Sequence, residues 1–322
     1  MQRPLIIGAG AGLVSATLFA SAATATALAG FLFYLSPLPL CLAGLGWGSK
    51  SSLVAALAGM AVIAAGLSPG IAVTFAIAIA APTAFFTHLL LLSRPAATAE
   101  GTRAVEWYPI SRFVTWAALI AGLLAAVFVL VLGYDQESYR ESLRQMIEHS
   151  ALKEFDRDGT LLTEENVANL ANMLARALPA AFAIAWLSMM LFNLWIAGLI
   201  VDASGRALRP WPDLHALDLP NALVVLFAVA LAASFLPGLP GLMATGFAGA
   251  LLFAYVLQGL AVIHVYSQGM PMRGLLLATV YLGILLLGWV ALLVAILGLA
   301  EPLLGLRQRT SPRGQPPSSG IV

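Results

Sequence analysis

Two amide side chains lie deep inside long apolar segments, where polar residues are rare. Asn193 and Gln258 each fall near the middle of such a segment. Hydrocarbon offers no hydrogen-bond partner, so a polar side chain at this depth faces protein or a water-filled cavity. Helical spacing places Trp186 on the face of Asn193, and Tyr255 and Tyr266 on the face of Gln258. These five residues predict a pocket for an uncharged or zwitterionic small molecule; the alternative is an interhelical hydrogen bond at each amide.

A second polar pattern lies in the most charged stretch of the chain. Residues 154–165 place oxygen ligands at the first, third, fifth and twelfth positions of a calcium-loop pattern, with glycine at the sixth. The ligands would be Glu154, Asp156, Asp158 and Glu165. Glutamate at the first position departs from the pattern, so a plain acidic turn is the alternative. No other spacing of histidine, cysteine or carboxylate predicts a metal within the apolar segments.

Motifs of catalysis are missing from the sequence. It contains no nucleophile elbow, phosphate loop or dinucleotide fingerprint; Gly8-Ala9-Gly10-Ala11-Gly12 lies inside an apolar segment and follows no strand. The formal net charge of +1 gives no electrostatic reason for a nucleic-acid partner. We therefore expect a non-enzymatic protein without a cofactor.

The composition defines the environment of these residues. Hydrophobic residues make up 61% of the 322 positions and charged residues only 10%, and the mean hydropathy is +0.93. Soluble domains contain about 45–50% apolar and about 25% charged residues, so this chain has too little charge to cover a soluble core. The predicted fold class is all-α: a polytopic transmembrane bundle of about 8–9 spans in a lipid bilayer.

Apolar segments long enough to cross a hydrocarbon layer of roughly 30 Å as helices recur along the chain. They lie near 5–29, 31–47, 52–68, 70–92, 112–133, 177–201, 219–236, 241–267 and 274–300. The first also resembles a signal peptide, but its apolar core exceeds the usual length of about 15 residues, which favours a span. Nine spans are predicted. Eight is the alternative, because the second and third segments are short.

Lysine and arginine in short loops predict the orientation. With nine spans, the following residues fall on one side: Arg3, Lys50, Arg94, Arg103, Arg112, Arg206, Arg209 and Arg273. This side should be cytoplasmic, which predicts a multi-pass membrane protein with its amino terminus inside. The basic residues of the tail, Arg307, Arg309 and Arg313, would then lie outside, against the rule. A count of eight spans therefore remains the alternative.

Four regions follow from these patterns: an amino-terminal transmembrane bundle (1–133), an outer helical hairpin (134–176), a carboxy-terminal bundle (177–304) and a disordered tail (305–322). In the hairpin region Tyr139, Leu143, Met146 and Ile147 recur at helical spacing among charged residues, which is typical of an amphipathic helix. Thr163 is a suitable N-cap for the second helix of the hairpin.

Small residues line one face of the first span at every fourth position: Gly8, Gly12, Ala16, Ala20 and Thr24. Such faces let helix backbones approach closely in a membrane. One interpretation is a docking face for another membrane protein, and the alternative is packing within the chain.

Short motifs resemble known membrane proteins. Ser36-Pro37-Leu38-Pro39-Leu40, followed by Gly44-Leu45-Gly46-Trp47-Gly48, resembles the early region of the S components of energy-coupling-factor vitamin transporters. The chain is more similar still to the YybS-like family of uncharacterised bacterial membrane proteins. Further matches are Leu219-Pro220, Gln258-Gly259-Leu260-Ala261-Val262 and Leu297-Gly298-Leu299-Ala300-Glu301.

The resemblance implies a first half arranged like an S component. In that group, small residues of the first helix contact the coupling subunit, and the matching positions here are Ala16, Ala20 and Thr24. S components have about six spans, so the additional spans and the outer hairpin depart from the group. Two functions follow as hypotheses: a transporter or substrate-capture subunit, and a non-enzymatic scaffold that docks partners through the hairpin.

Overall fold

The computed structural model describes residues 2–24, 26–97, 103–149 and 163–304. These residues are almost entirely helical, as predicted from the composition. The helices are α1 (Gln2–Ala20), α2 (Ala27–Tyr34), α3 (Leu38–Trp47), α4 (Ser49–Gly66), α5 (Pro69–Phe75), α6 (Ala81–Leu91), α7 (Ile110–Leu132), α8 (Gln136–Glu148), α9 (Glu164–Ala203), α10 (Asn221–Ala233), α11 (Gly238–Tyr266), α12 (Arg273–Leu287) and α13 (Val290–Leu304).

Seven helical segments are long and apolar enough to cross a membrane by length and composition: Arg3–Thr24, Ala27–Trp47, Ser49–Gly66, Pro69–Leu91, Ile110–Leu132, Glu164–Ala203 and Gly238–Tyr266. The helices α10, α12 and α13 are apolar but shorter. The all-α membrane fold class is therefore confirmed.

Two predicted boundaries differ from the structure. The second hairpin helix and the sixth span form one 40-residue helix, α9. Arg176 marks the change from polar to apolar sequence, but the helix continues through it. Its internal Pro179 does not end it either. Conversely, the segment near 274–300 is two helices, α12 and α13. Gly288 separates them with a φ of 61°, a left-handed conformation that glycine adopts without strain.

A short antiparallel hairpin follows α6 and was not predicted. Its strands are β1 (Ser93–Ala97) and β2 (Arg103–Trp107), with Arg94 opposite Glu106. The Arg94 guanidinium donates to the Glu106 carboxylate at 2.7 Å, and this contact holds the pKa of Glu106 below its usual range. The hairpin places a polar connection before α7.

The chain divides into two compact units. Of the described residues, the first unit contains those up to Phe113 together with Ser188–Leu214, and the second contains Val114–Leu187 and those from His215 to 304. In the first unit, α1 lies against α4 along buried glycines. In the second, α8 packs Tyr139, Leu143 and Ile147 onto an apolar cluster that includes Val167 and Ala171 of α9.

Candidate functional site

The second span is broken in the middle of its length. Helix α2 ends at Tyr34 and α3 begins at Leu38, because Pro37 has no backbone N–H and disfavours a helical conformation at the residue before it. A broken helix within a membrane leaves backbone carbonyls that need new partners.

Side chains from two other helices supply these partners. The Asn193 Nδ2 of α9 donates to the carbonyl of Tyr34 at 2.8 Å and to that of Met189 at 2.8 Å. Ser15 Oγ of α1 donates to the carbonyl of Ser36 at 2.6 Å. Ser15, Ser36 and Asn193 are fully buried; the side chains of Ser15 and Asn193 hold the break, and that of Ser36 lies within it. We name these three residues, with the carbonyl of Tyr34, the break site.

Two polar atoms of the break site remain without a hydrogen-bond partner among the described residues. They are Oδ1 of Asn193 and Oγ of Ser36. A buried acceptor left unpaired costs about 1–3 kcal/mol, so such atoms occur rarely without a reason. An occupant that offers positive charge or a hydrogen-bond donor would remove this cost.

Aromatic rings lie next to the break site. The rings of Tyr34 and Phe192 are 5.7 Å apart, and Phe192 lies 6.2 Å from Trp195. Asn193 was predicted from its depth, whereas Ser15, Ser36 and these rings were not. The sequence signal of the break is Pro37 with Pro39 inside an apolar segment, since one proline is enough to interrupt a helix.

Gln258 has a different environment in the second unit. Its Oε1 accepts from the backbone N–H of Leu219 at 2.8 Å, and its Nε2 donates to the carbonyl of Gly298 at 2.9 Å. Both ends of this buried amide on α11 are therefore hydrogen-bonded: one to the non-helical backbone that precedes α10, the other to the backbone of α13. The bonding corresponds to the alternative interpretation, a hydrogen-bonded contact between segments.

The predicted aromatic partners of the amides are distributed between buried and exposed positions. Trp186 and Tyr255 are buried, and Tyr266 is exposed at the end of α11. The Tyr255 hydroxyl has no hydrogen-bond partner among the described residues, and its ring lies 5.8 Å from that of Phe227. Asn193 belongs to the first unit and the other four residues to the second, so one pocket shared by all five stays a prediction.

A buried carboxylate was missed as a candidate. Glu301 on α13 is 4% exposed. Gly259 meets Val294 and Gly298 meets the backbone of Tyr255, so Glu301, about one turn beyond Gly298, lies beside the middle of α11. An ionisable side chain at membrane depth is a functional candidate by default, and its position near the end of an apolar segment concealed it in the sequence.

The small-residue face of α1 is used largely within the chain. A side chain at Gly8 would meet the carbonyl oxygen of Ser51 at 2.6 Å, and one at Gly12 would meet the backbone of Ala55 and Gly59. Ala16 is buried as well, whereas Ala20 is partly exposed and Thr24 is exposed. Packing within the chain therefore accounts for the first three positions.

Most of the predicted calcium loop lies outside the described residues. This applies to Glu154, Asp156 and Asp158, whereas Glu165 is exposed in the first turn of α9. In the part of the chain that the structure describes, no group of three or more histidine, cysteine or acidic residues could hold a metal ion.

Basic residues gather at one end of the first unit. Arg206 lies over the ring of Trp47 at 5.1 Å. Arg209 donates to the carbonyls of Leu90 and Tyr108 at 2.8 Å and 3.1 Å, and partial burial lowers its pKa. These contacts bring together loop ends that the positive-inside rule assigns to one side of a membrane.

Many long apolar helices with neutral polar residues buried among them define a multi-pass integral membrane protein. The chain belongs to the family described as Predicted membrane protein (DUF2232), whose model matches residues 13–301. This match is consistent with the predicted resemblance to the YybS-like family of uncharacterised membrane proteins. No curated protein and no solved structure matches the chain.

Proposed function

We propose that the protein is a transporter-like subunit of the bacterial plasma membrane that captures a small molecule. The observation that supports this proposal is the break site, where a membrane helix is interrupted and Asn193 Oδ1 remains unpaired and buried. Discontinuous helices near the middle of the bilayer are a recurrent feature of substrate and ion sites in transporters, because their backbone ends can contact the ligand.

The neutral chemistry of the break site restricts the molecule. Ser15, Ser36 and Asn193 carry no formal charge, and the nearby rings of Tyr34 and Phe192 are apolar or weakly polar. Such a lining suits an uncharged or zwitterionic compound with few polar groups.

A protein partner at the first helix is part of this proposal, since the resemblance to S components implies a coupling subunit. Gly8 and Gly12 already contact α4, so the partner would use the open end of the same face, at Ala20 and Thr24. Orientation with the amino terminus in the cytoplasm is proposed from the loop charges.

A specific surface favours the scaffold as a second candidate. The helices α8 and α9 expose Met146 and Met173, and Met173 lines an open groove together with Arg140, Asn172 and Arg176. Exposed methionines next to arginines suit contact with another protein. Because α9 continues into the membrane, a deletion of the hairpin would also remove part of a spanning helix; a point substitution is the cleaner test.

Native mass spectrometry of the protein, gently extracted from its own membranes, separates these candidates. The transporter proposal predicts a stoichiometric small-molecule adduct that is lost in Asn193→Leu and retained in Gln258→Leu, with both variants eluting as folded protein. The transporter proposal would be contradicted if the wild type carried no adduct and instead co-purified with a protein that Met173→Glu releases. That result would favour the scaffold.

A further inference from the structure

We infer that the break site binds a monovalent inorganic cation, and we use sodium as the ion that tests it. The inference rests on the proposed function, since it names an ion for the same site. It follows from the donors and acceptors at the break, from the direction of the helix ends and from the kind of oxygen ligands present.

Acceptors exceed donors at the break. Pro37 and Pro39 have no backbone N–H, and the N–H of Leu38 already donates to the carbonyl of Leu35 at 3.0 Å. The carbonyls of Tyr34 and Ser36 each accept one side-chain hydrogen bond and keep a second lone pair. With the unpaired Asn193 Oδ1, these acceptor positions outnumber the unpaired hydroxyl donor of Ser36, which favours a cation over an anion as the occupant.

The partial charges at the two helix ends also favour a cation. The carboxyl end of α2 at Tyr34 carries the partial negative charge of its last carbonyls. The opposing positive end of α3 is weakened as a donor site, because prolines occupy two of its first positions. Unwound carbonyls at such half-helix ends are known coordination groups for monovalent cations in membranes.

The ligands are neutral oxygens. An amide, a hydroxyl and backbone carbonyls surround the break, and Ser15, Ser36 and Asn193 contribute no carboxylate. Calcium sites rely on carboxylates, and magnesium keeps several waters and usually one or two carboxylates. A single positive charge is the largest that such a buried, neutral set can stabilise at reasonable cost.

The test is the thermal stability of the purified full-length protein in detergent, at equal ionic strength of sodium, potassium or choline chloride. We expect the melting temperature to be a few degrees higher in sodium than in choline, since a ligand that binds only the folded state stabilises it. Ser36→Ala removes one ligand with little change in volume and should reduce the apparent sodium affinity about tenfold, the effect of losing one good contact.

Asn193→Leu should abolish the sodium effect, and Gln258→Leu is the matched control that should retain it, since Gln258 lies outside the break site. Equal melting in all three salts, or an unchanged sodium effect in Ser36→Ala, would overturn the inference. If an organic ammonium ion stabilises the protein and sodium does not, the cation assignment is wrong. A small-molecule adduct that persists without sodium dependence would leave the proposed function standing.

Discussion

At the scale of single residues, the two deep amides show how differently one side-chain type is used. Gln258 satisfies both of its ends with backbone partners, whereas Asn193 uses only its donor end. Depth in an apolar segment identified both residues from the sequence. Their different bonding could not be predicted, because the partners Tyr34, Leu219 and Gly298 are brought near only by the fold.

Tyr139 gives a prediction about pH. It is buried on α8, its hydroxyl has no partner among the described residues, and burial raises its pKa to about 12. The pKa of an unfolded tyrosine is about 10, lower than in the folded state, so folding favours the neutral phenol. The contribution of Tyr139 to stability is complete below about pH 10 and is lost as the pH rises toward the folded pKa of about 12.

Melting curves of the wild type and Tyr139→Phe, measured between neutral and strongly alkaline pH, check this expectation. At neutral pH the variant should be as stable as the wild type or slightly more stable, since it removes a buried unpaired hydroxyl. Above about pH 10 the wild type should lose stability relative to the variant. Parallel loss in both proteins would show that the phenol does not titrate differently on folding; Tyr134→Phe, at an exposed position, is the control.

At the scale of elements, sequence patterns located helices better than they located helix ends. Hydropathy identified the apolar segments because each crosses a nonpolar layer. The continuity of α9 was missed because Arg176 is compatible with a helix that leaves the membrane. The turn at Gly288 was missed because a glycine in an apolar run gives no sign of its φ angle. Ser15 was missed because its partner Ser36 is 21 residues away.

The contact between α1 and α4 gives a prediction with a control in the same helix. A Cβ at Gly12 would fall on the carbonyl oxygen of Ala55 and 2.8 Å from the nitrogen of Gly59, whereas a Cβ at Gly10 meets nothing within 4 Å. Gly12→Ala should therefore destabilise the protein by about 1–3 kcal/mol through separation of the two helices.

Gly10→Ala should be neutral or stabilising by up to about 1 kcal/mol, because alanine is the better helix former. Unfolding in mixed micelles with increasing denaturing detergent measures both variants under one condition. Equal stability of the two variants would refute close packing at Gly12.

At the scale of the whole molecule, the number of spans determines on which side each end of the chain lies. Nine spans predict that reporters fused after Arg206 and after Arg313 lie on opposite sides of the membrane, the first in the cytoplasm. Paired fluorescent and periplasmic enzyme reporters measure the side of each fusion. Finding both reporters in the cytoplasm would instead support eight spans.

Three apolar helices of the second unit are shorter than the hydrocarbon core of a typical bilayer. A helix rises about 1.5 Å per residue, so α10, with 13 residues, is about 20 Å long by that rise. The 15 residues of α12 and of α13 give about 22 Å. The hydrocarbon core of a typical bilayer is about 30 Å thick, and a shorter helix is accommodated by local thinning of the lipid. Hydrophobic mismatch therefore predicts that lipids with shorter acyl chains are favoured around these helices.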